Sequence, residues 1–180
     1  MLVTISGLPG SGTTTVSRLV AAALGLERFP GGEVFRQMAS EAGMTLAEFG
    51  AHAQGHPEID RELDDRLEAR ATEGGCVIES RLAGWLVTRA GLASVRVWVD
   101  GSDEVRAARV AARDGSSVAQ ALIDNAERSA LERARYQAVY GIDLDDRSTY
   151  DLVLDSTMET PEALTATIVE RARATFPKGY

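Results

Sequence analysis

Lysine is nearly missing from this 180-residue sequence: of nineteen basic side chains, the one lysine is Lys178, close to the C-terminal end, and the rest are arginine. Cationic chemistry in the body of the chain therefore falls to guanidinium groups, which meet phosphates and carboxylates as planar forks rather than as point charges. Cysteine occurs once, at Cys76, so an internal disulfide is excluded and a reducing compartment, the cytoplasm, is expected. Its apolar neighbours make Cys76 a buried small side chain rather than a nucleophile. No apolar run is long enough to cross a bilayer, and no basic segment leading into an apolar one suggests an export signal. A net charge of −8 argues against a protein that tracks nucleic-acid phosphates. Repeats, low-complexity tracts and linkers are also missing, which leaves one soluble domain, expected to be a monomer, with 44% apolar residues to build its core. Two histidines, His52 and His56, stand four apart without the cysteine or glutamate pattern of a zinc site and are expected on a surface helix.

What is present is an alternation of apolar runs and helical periodicity. Residues 2–6 (LVTIS) read as a short buried strand. Val16, Leu19, Val20, Ala23 and Leu24 then recur at helical spacing, with Gly25 as a stop. A brief strand or turn at 26–29 precedes a mostly helical stretch, 33–70, broken near Gly43 and at His56-Pro57. Further strands are expected at 76–79, 95–100 and 150–154. Ser102 followed by Asp103 and Glu104 opens another helix, and Thr160-Pro161-Glu162 opens the last. Between them, a polar break at 114–117 precedes a long helix ending near Tyr140-Gly141. Tyr136, Tyr140, Trp85 and Trp98 are expected in the core. This order predicts an α/β fold with a parallel sheet covered on both faces. Ligands of such sheets bind beyond the carboxyl ends of the strands, where Gly7, Glu79, Asp100 and Asp155 fall.

Between the first strand and the first helix lies GLPGSGTTT, residues 7–15. Gly7, Gly12 and Thr14 fit three fixed places of the phosphate-cradling pattern G-x-x-x-x-G-K-[ST]; the lysine place holds Thr13. Glycines let successive main-chain N–H groups turn toward an oxyanion, and the helix start adds its positive end, so much of the cradle survives the loss of lysine. Losing one preorganised contact of this kind costs about 3–4 kcal/mol of transition-state stabilisation, which another cation can supply.

Together with that loop, the stretches GGEVFR (31–36), HPEID (56–60), VIESRLAGW (77–85), RAARVAARD (106–114) and ARYQAVYGIDLDDRSTYDLVLDS (134–156) resemble, in order and over nearly the whole chain, the cytidylate kinases, most of all their compact archaeal-type branch. The resemblance implies a P-loop kinase: a three-layer α/β/α domain with a five-stranded parallel sheet in the order 2-3-1-4-5. It also implies a helical nucleoside-monophosphate (NMP) segment at about 30–72 and a small lid at about 109–128. The implied reaction passes a phosphoryl group from ATP to CMP or dCMP with Mg²⁺. Gly7 and Pro9 to Thr15 (Gly10, Ser11, Gly12, Thr13 and Thr14 among them) would hold the ATP phosphates, with Thr14 on the metal and Glu79 ordering water around it. Arg36, Asp60 and Arg81 would bind the acceptor, although Ser80 stands where the family has the glycine of its G-R pair. Arg109, Arg113 and Arg128 would be the lid cations, and Thr13 a feature of the lineage.

The residues alone leave alternatives open. Arg109 and Arg113 also suit a solvated helix face paired with Glu104 or Asp114, Asp60 suits a charged helix surface, and Glu79 suits a helix cap. Ser80 and the altered lid would also suit a kinase for a modified nucleotide or a small-molecule hydroxyl. Thr13 would suit a nucleotide-binding protein without turnover.

Overall fold

Five short strands run parallel in one sheet: β1 (Leu2–Gly7), β2 (Glu27–Pro30), β3 (Cys76–Glu79), β4 (Val95–Asp100) and β5 (Leu152–Asp155), in the spatial order β2-β3-β1-β4-β5. This computed structural model describes residues 1–177, so Lys178 lies outside the described residues. The sheet order and the parallel register agree with the expectation from sequence. Every residue of the central strand β1 is buried, as a strand covered on both faces requires.

Period-two alternation divides the core. Val3, Ile5, Val77, Val95, Val97 and Val99 face one layer, formed by α1 (Thr13–Leu24) and α8 (Pro161–Thr175) through Val16, Val20, Leu164 and Ile168. Leu2, Cys76, Ile78 and Trp98 face the other. That side is closed by α4 (Pro57–Glu73), α5 (Ala83–Arg89), Tyr136 of α7 (Val118–Tyr140), Ile142, Leu144 and Tyr150. Each fully buried aliphatic side chain contributes roughly 1.5–3 kcal/mol.

Helix α5 has no counterpart in the sequence reading; at seven residues it spans two turns, too few for periodicity to show. The last strand begins at Leu152 rather than Tyr150. Tyr150 instead turns its ring into the core, 5.4 Å from that of Trp98. Trp98 is fully buried, and the Arg147 guanidinium stacks 3.7 Å from its ring. Trp85 is only partly buried.

Two helical excursions leave the sheet. Between β2 and β3, α2 (Gly31–Glu41), α3 (Leu46–Ala53) and α4 share a small cluster around Met38, Ala39 and Phe49. Between β4 and β5, α6 (Asp103–Asp114) folds against α7 over Ala107, Val110, Ala111 and Ala121. Both leave the sheet at the carboxyl ends of its strands, the edge that carries Gly7, Pro30, Glu79, Asp100 and Asp155, and return to the amino ends of β3 and β5.

Close packing fixes one glycine on α5. A Cβ at Gly84 would lie 2.5 Å from Cε1 of Tyr150 and 3.1 Å from two more of its ring atoms. Gly84→Ala should therefore destabilise the fold by about 1–3 kcal/mol, read as a lowered midpoint in urea unfolding at unchanged slope. A variant as stable as the parent would mean that the ring is free to move.

Candidate active site

The chain leaves β1 at Gly7 and enters α1 at Thr13 through a tight loop. A Cβ at Gly7 would stand 2.4 Å from Ser11 Oγ and 2.5 Å from the Val99 carbonyl. At Gly10, which has φ of 83°, it would stand 2.3 Å from the Arg106 carbonyl. The loop is thus wedged against β4 and α6, and only glycine fits at these two points. Helix α1 starts bare. Its first helical bond is from the Val16 amide to the Gly12 carbonyl, no side chain caps it, and no acid lies in its first turn. By contrast, α3, α6 and α8 begin with Thr45, Ser102 and Thr160 as caps and carry acids in the first turn. The amides of Thr13, Thr14 and Thr15, with the positive end of the helix dipole, are therefore left for an anion. Ser11 Oγ, buried and without a partner among the described residues, belongs to the same cradle.

Three guanidinium groups hold the loop from behind. Arg81 Nη1 donates to the Gly7 carbonyl at 2.7 Å, Arg106 Nη1 to that of Pro9 at 3.0 Å, and Arg109 Nη1 to that of Gly10 at 3.3 Å. In a trans peptide the carbonyl and the following N–H point in opposite directions. Fixing these oxygens toward the arginines turns the amides of Leu8 and Gly10 the other way, while the Ser11 amide donates to the Leu8 carbonyl at 3.1 Å. Arg106 is buried, with its Nε on the Gly101 carbonyl and its Nη2 on Asp103. Arg109 also reaches the hydroxyl of Ser156 at 2.8 Å and its carbonyl at 2.7 Å, tying α6 to the turn after β5. Beside it lies a cavity of about 100 Å³, lined by Ser11, Thr15, Val16, Arg109, Ser156 and Pro161. A wider hollow of about 440 Å³ beyond β4 and β5 is lined by Asp100, Asp155 and small or apolar residues. With carboxylates and no cation, it does not suit a phosphate.

At the end of β3, Glu79 gathers four neighbours. Its Oε1 accepts from Thr13 Oγ1 at 3.0 Å and Thr14 Oγ1 at 2.7 Å; its Oε2 accepts from Ser17 Oγ at 2.9 Å and Arg28 Nη2 at 3.1 Å. Thr13 is thereby buried and turned to the carboxylate, so its side chain does not stand in for a lysine on phosphate. The Thr14 and Glu79 oxygens form the hard, all-oxygen donor set that Mg²⁺ takes, and Thr14 is exposed.

A second polar cluster joins β3 to α7. Glu132, 9% exposed, accepts from Arg81 Nε and from Arg128 Nε, both at 2.9 Å. Burial alone would raise the Glu132 carboxyl, but the two guanidiniums outweigh it and hold it below the usual range. Farther along α7, Arg135 Nε lies 3.1 Å from Asp60 Oδ2, and the Tyr140 hydroxyl donates to Asp64. Asp60 and Asp64 are both buried, one turn apart on α4, which removes the exposed-surface reading of Asp60. Burial raises both carboxyls, and that of Asp64 is pushed up to about 7, the Tyr140 bond opposing the shift and Asp60 and Asp65 adding to it.

The remaining sequence candidates spread out. Arg36 is exposed on α2 and has no hydrogen bond or ion pair among the described residues. Arg113, at the end of α6, pairs with Asp114 at 2.6 Å and is not brought to the loop. His52 and His56 stack with ring centres 3.9 Å apart, and no metal-holding group of three ligating residues exists among the described residues. Sequence reading missed Arg28, Arg106 and Glu132. Arg106 carried a signal, since it sits one helical turn before Arg109.

A family model described as the cytidylate kinase-like family matches residues 2–158. The chain belongs to this family. It is 48% identical to the cytidylate kinase of Pyrococcus horikoshii over 93% of this chain and 86% of that one. To that of Thermococcus sibiricus it is 44% identical over 99% and 91%. Among solved structures, an uncharacterized protein from Eubacterium ventriosum superposes with a TM-score of 0.75 at 16% identity, covering 97% of this chain and 99% of the other. Shikimate kinase from Acinetobacter baumannii gives 0.63 at 15%, covering 98% and 95%. These two likenesses establish a shared fold; the cytidylate kinase-like family rests on the sequence matches.

In this cytidylate kinase-like chain the buried acids of α4 make stability depend on pH. Asp64 binds its proton near pH 7 when folded and near about pH 4 when unfolded, so the native state holds more protons in between. The resulting stabilisation is complete below the unfolded value and is lost as pH rises through 7. Asp60, Asp65, Arg135 and Tyr140 face the group. From pH 5 to 8 the parent should lose about 2–3 kcal/mol more unfolding free energy than Asp64→Asn. Urea titrations at the two pH values test this; equal losses would show that Asp64 ionises normally.

Proposed function

We propose that this protein transfers the γ-phosphoryl group of ATP to CMP or dCMP. The observation that carries the reading is the bare start of α1 behind a loop whose carbonyls are pinned outward, in a chain 44–48% identical to cytidylate kinases. ATP phosphates lie over residues 7–15, and its base enters the cavity beside Arg109 and Ser156. Arg36 grips the acceptor phosphate from α2, its fork unoccupied by protein partners among the described residues. Arg128, half exposed beside Glu132, supplies charge where donor and acceptor phosphates face each other, while Arg81 holds the loop from behind and shares Glu132 with it. Asp60, Asp64 and Arg135 form the polar wall of the acceptor site. A Mg²⁺ ion held by Thr14 and Glu79 would neutralise phosphate charge.

The acceptor phosphate is itself an anionic nucleophile. One of its oxygens bonds to the γ-phosphorus as the bond to the β–γ bridging oxygen breaks, and ADP leaves with that electron pair. No proton need be removed. The protein's work is positioning and charge neutralisation. The helices of 30–72 and the lid of 109–128, with Arg109 at its base and Arg113 at its outer end, each pack over a small cluster of their own. They can close over the ligands without opening the central core.

An ADP-release assay with Mg²⁺-ATP and a panel of CMP, dCMP, UMP, AMP, GMP and shikimate tests the assignment. CMP or dCMP should be the best acceptor; no turnover with any nucleotide by folded protein would overturn it. In the same assay Arg36→Ala should raise KM for CMP at least about tenfold and leave that for ATP unchanged, as loss of a charge-assisted phosphate contact predicts.

A further inference from the structure

Thr13 leaves an unbalanced charge at the loop. A lysine there would stand beside Glu79 and cancel it; with threonine in its place, a carboxylate is left facing the site of a polyanion. The residues packed around Glu79 from α1 are Thr13, Thr14 and Ser17, all neutral. The cation comes from the neighbouring strand. Arg28 on β2 is two register positions from the residue opposite Glu79, on the same face of the sheet. Its Nε donates to Ser17 Oγ at 3.1 Å, and its Nη2 donates to Glu79 Oε2 at 3.1 Å and Glu33 Oε1 at 3.2 Å. Both members of the Glu79 pair are shielded, with side-chain exposures of 22% and 13%, whereas Glu33 is 57% exposed and screened by water. Nη1 has no hydrogen-bond partner among the described residues.

We infer that Arg28 replaces the charge of the missing loop lysine by neutralising Glu79, and so sets the affinity of the loop for the triphosphate of ATP. Arg28 is a positioning and charge-compensating residue that acts through Glu79. The inference rests on the reading of residues 7–15 as the ATP site. It explains how the loop tolerates threonine without any cation touching phosphate at position 13. It also separates two states of Glu79: without a divalent ion, Arg28 alone balances it; with Mg²⁺ at Thr14 and Glu79, the ion does so too, and Arg28 matters less.

Titration calorimetry with ATP, in EDTA and then in excess Mg²⁺, tests this apart from turnover. A unit charge a few ångström away, at an effective dielectric between protein and water, is worth about a factor of ten. Arg28→Met should therefore weaken metal-free ATP binding about tenfold, and clearly less in Mg²⁺. Adding Glu79→Gln or Thr13→Lys to Arg28→Met should recover most of the loss, which no packing role of Arg28 would allow. An unchanged metal-free affinity, or a loss equal in both conditions and unrecovered by either second change, would overturn the inference. Should Arg28→Met fail to fold, Glu79→Gln in the otherwise intact chain decides. With Arg28 then unopposed, metal-free ATP should bind about tenfold more tightly, and no tightening refutes the proposal. Parent protein that binds no ATP at all would instead refute the proposed function.

Discussion

Main-chain amides can serve an anion only while their peptide planes are held in one orientation, and in the loop after β1 guanidinium groups hold them. Arg81, Arg106 and Arg109 come from three places: the end of β3 and two successive turns of α6. Each takes one carbonyl of the loop. A loop of glycines and small residues has the freedom to collapse onto its own hydrogen bonds. One such bond is made, from the Ser11 amide to the Leu8 carbonyl; the carbonyls of Gly7, Pro9 and Gly10 are satisfied from outside, and charged donors do so more strongly than neutral ones. The rest of the site inherits its geometry from this clamp. Gly10 touches α6 because Arg106 lies beneath it, and Arg81 positions Glu132, which in turn receives Arg128.

The same clamp couples the loop to the two helices between β4 and β5. Arg109 binds both the Gly10 carbonyl and Ser156, so α6 cannot swing without disturbing the loop or the turn after β5. Arg81 joins the loop to α7 through Glu132. The position of α6 and the geometry of the loop are therefore one problem rather than two. Glu132 is the common partner of two arginines in a place only 9% exposed, where an unpaired carboxylate would be costly. That makes it a stiff joint. The outer end of α6, where Arg113 pairs with exposed Asp114, has no such anchor.

Much of this architecture was legible in the sequence, and the reasons differ by element. Strand β1 and helix α1 follow from a buried apolar run and a clean helical period on either side of a glycine loop, and the order of elements fixed a parallel sheet. Sheet order and site roles came from resemblance. Helix α5 was not legible, because two turns give no period. Asp60 read equally well as surface: its neighbours Glu58, Arg61, Glu62 and Asp65 are solvated, and its buried partner, Arg135, comes from α7 far along the chain. Arg28 and Glu132 were illegible for the same reason. Their meaning is set by partners 51 residues away in each case, a distance over which local pattern carries no information.

Position 13 shows what such long-range partners do to a motif. Taken alone, threonine at the lysine place reads as decay of a kinase loop. In the folded chain it is a small hydroxyl donor that fits under the loop and reaches Glu79, alongside Thr14 and Ser17. A lysine there would share Glu79 with Arg28, placing two cations on one carboxylate. The guanidinium fork suits its place because it meets Ser17, Glu79 and Glu33 at once, which a single ammonium at the end of a flexible stem does less well. Threonine in the loop and arginine on β2 are thus two halves of one arrangement: the cation reaches Glu79 from β2, and the side toward the loop is left to the hydroxyls of Thr13 and Thr14.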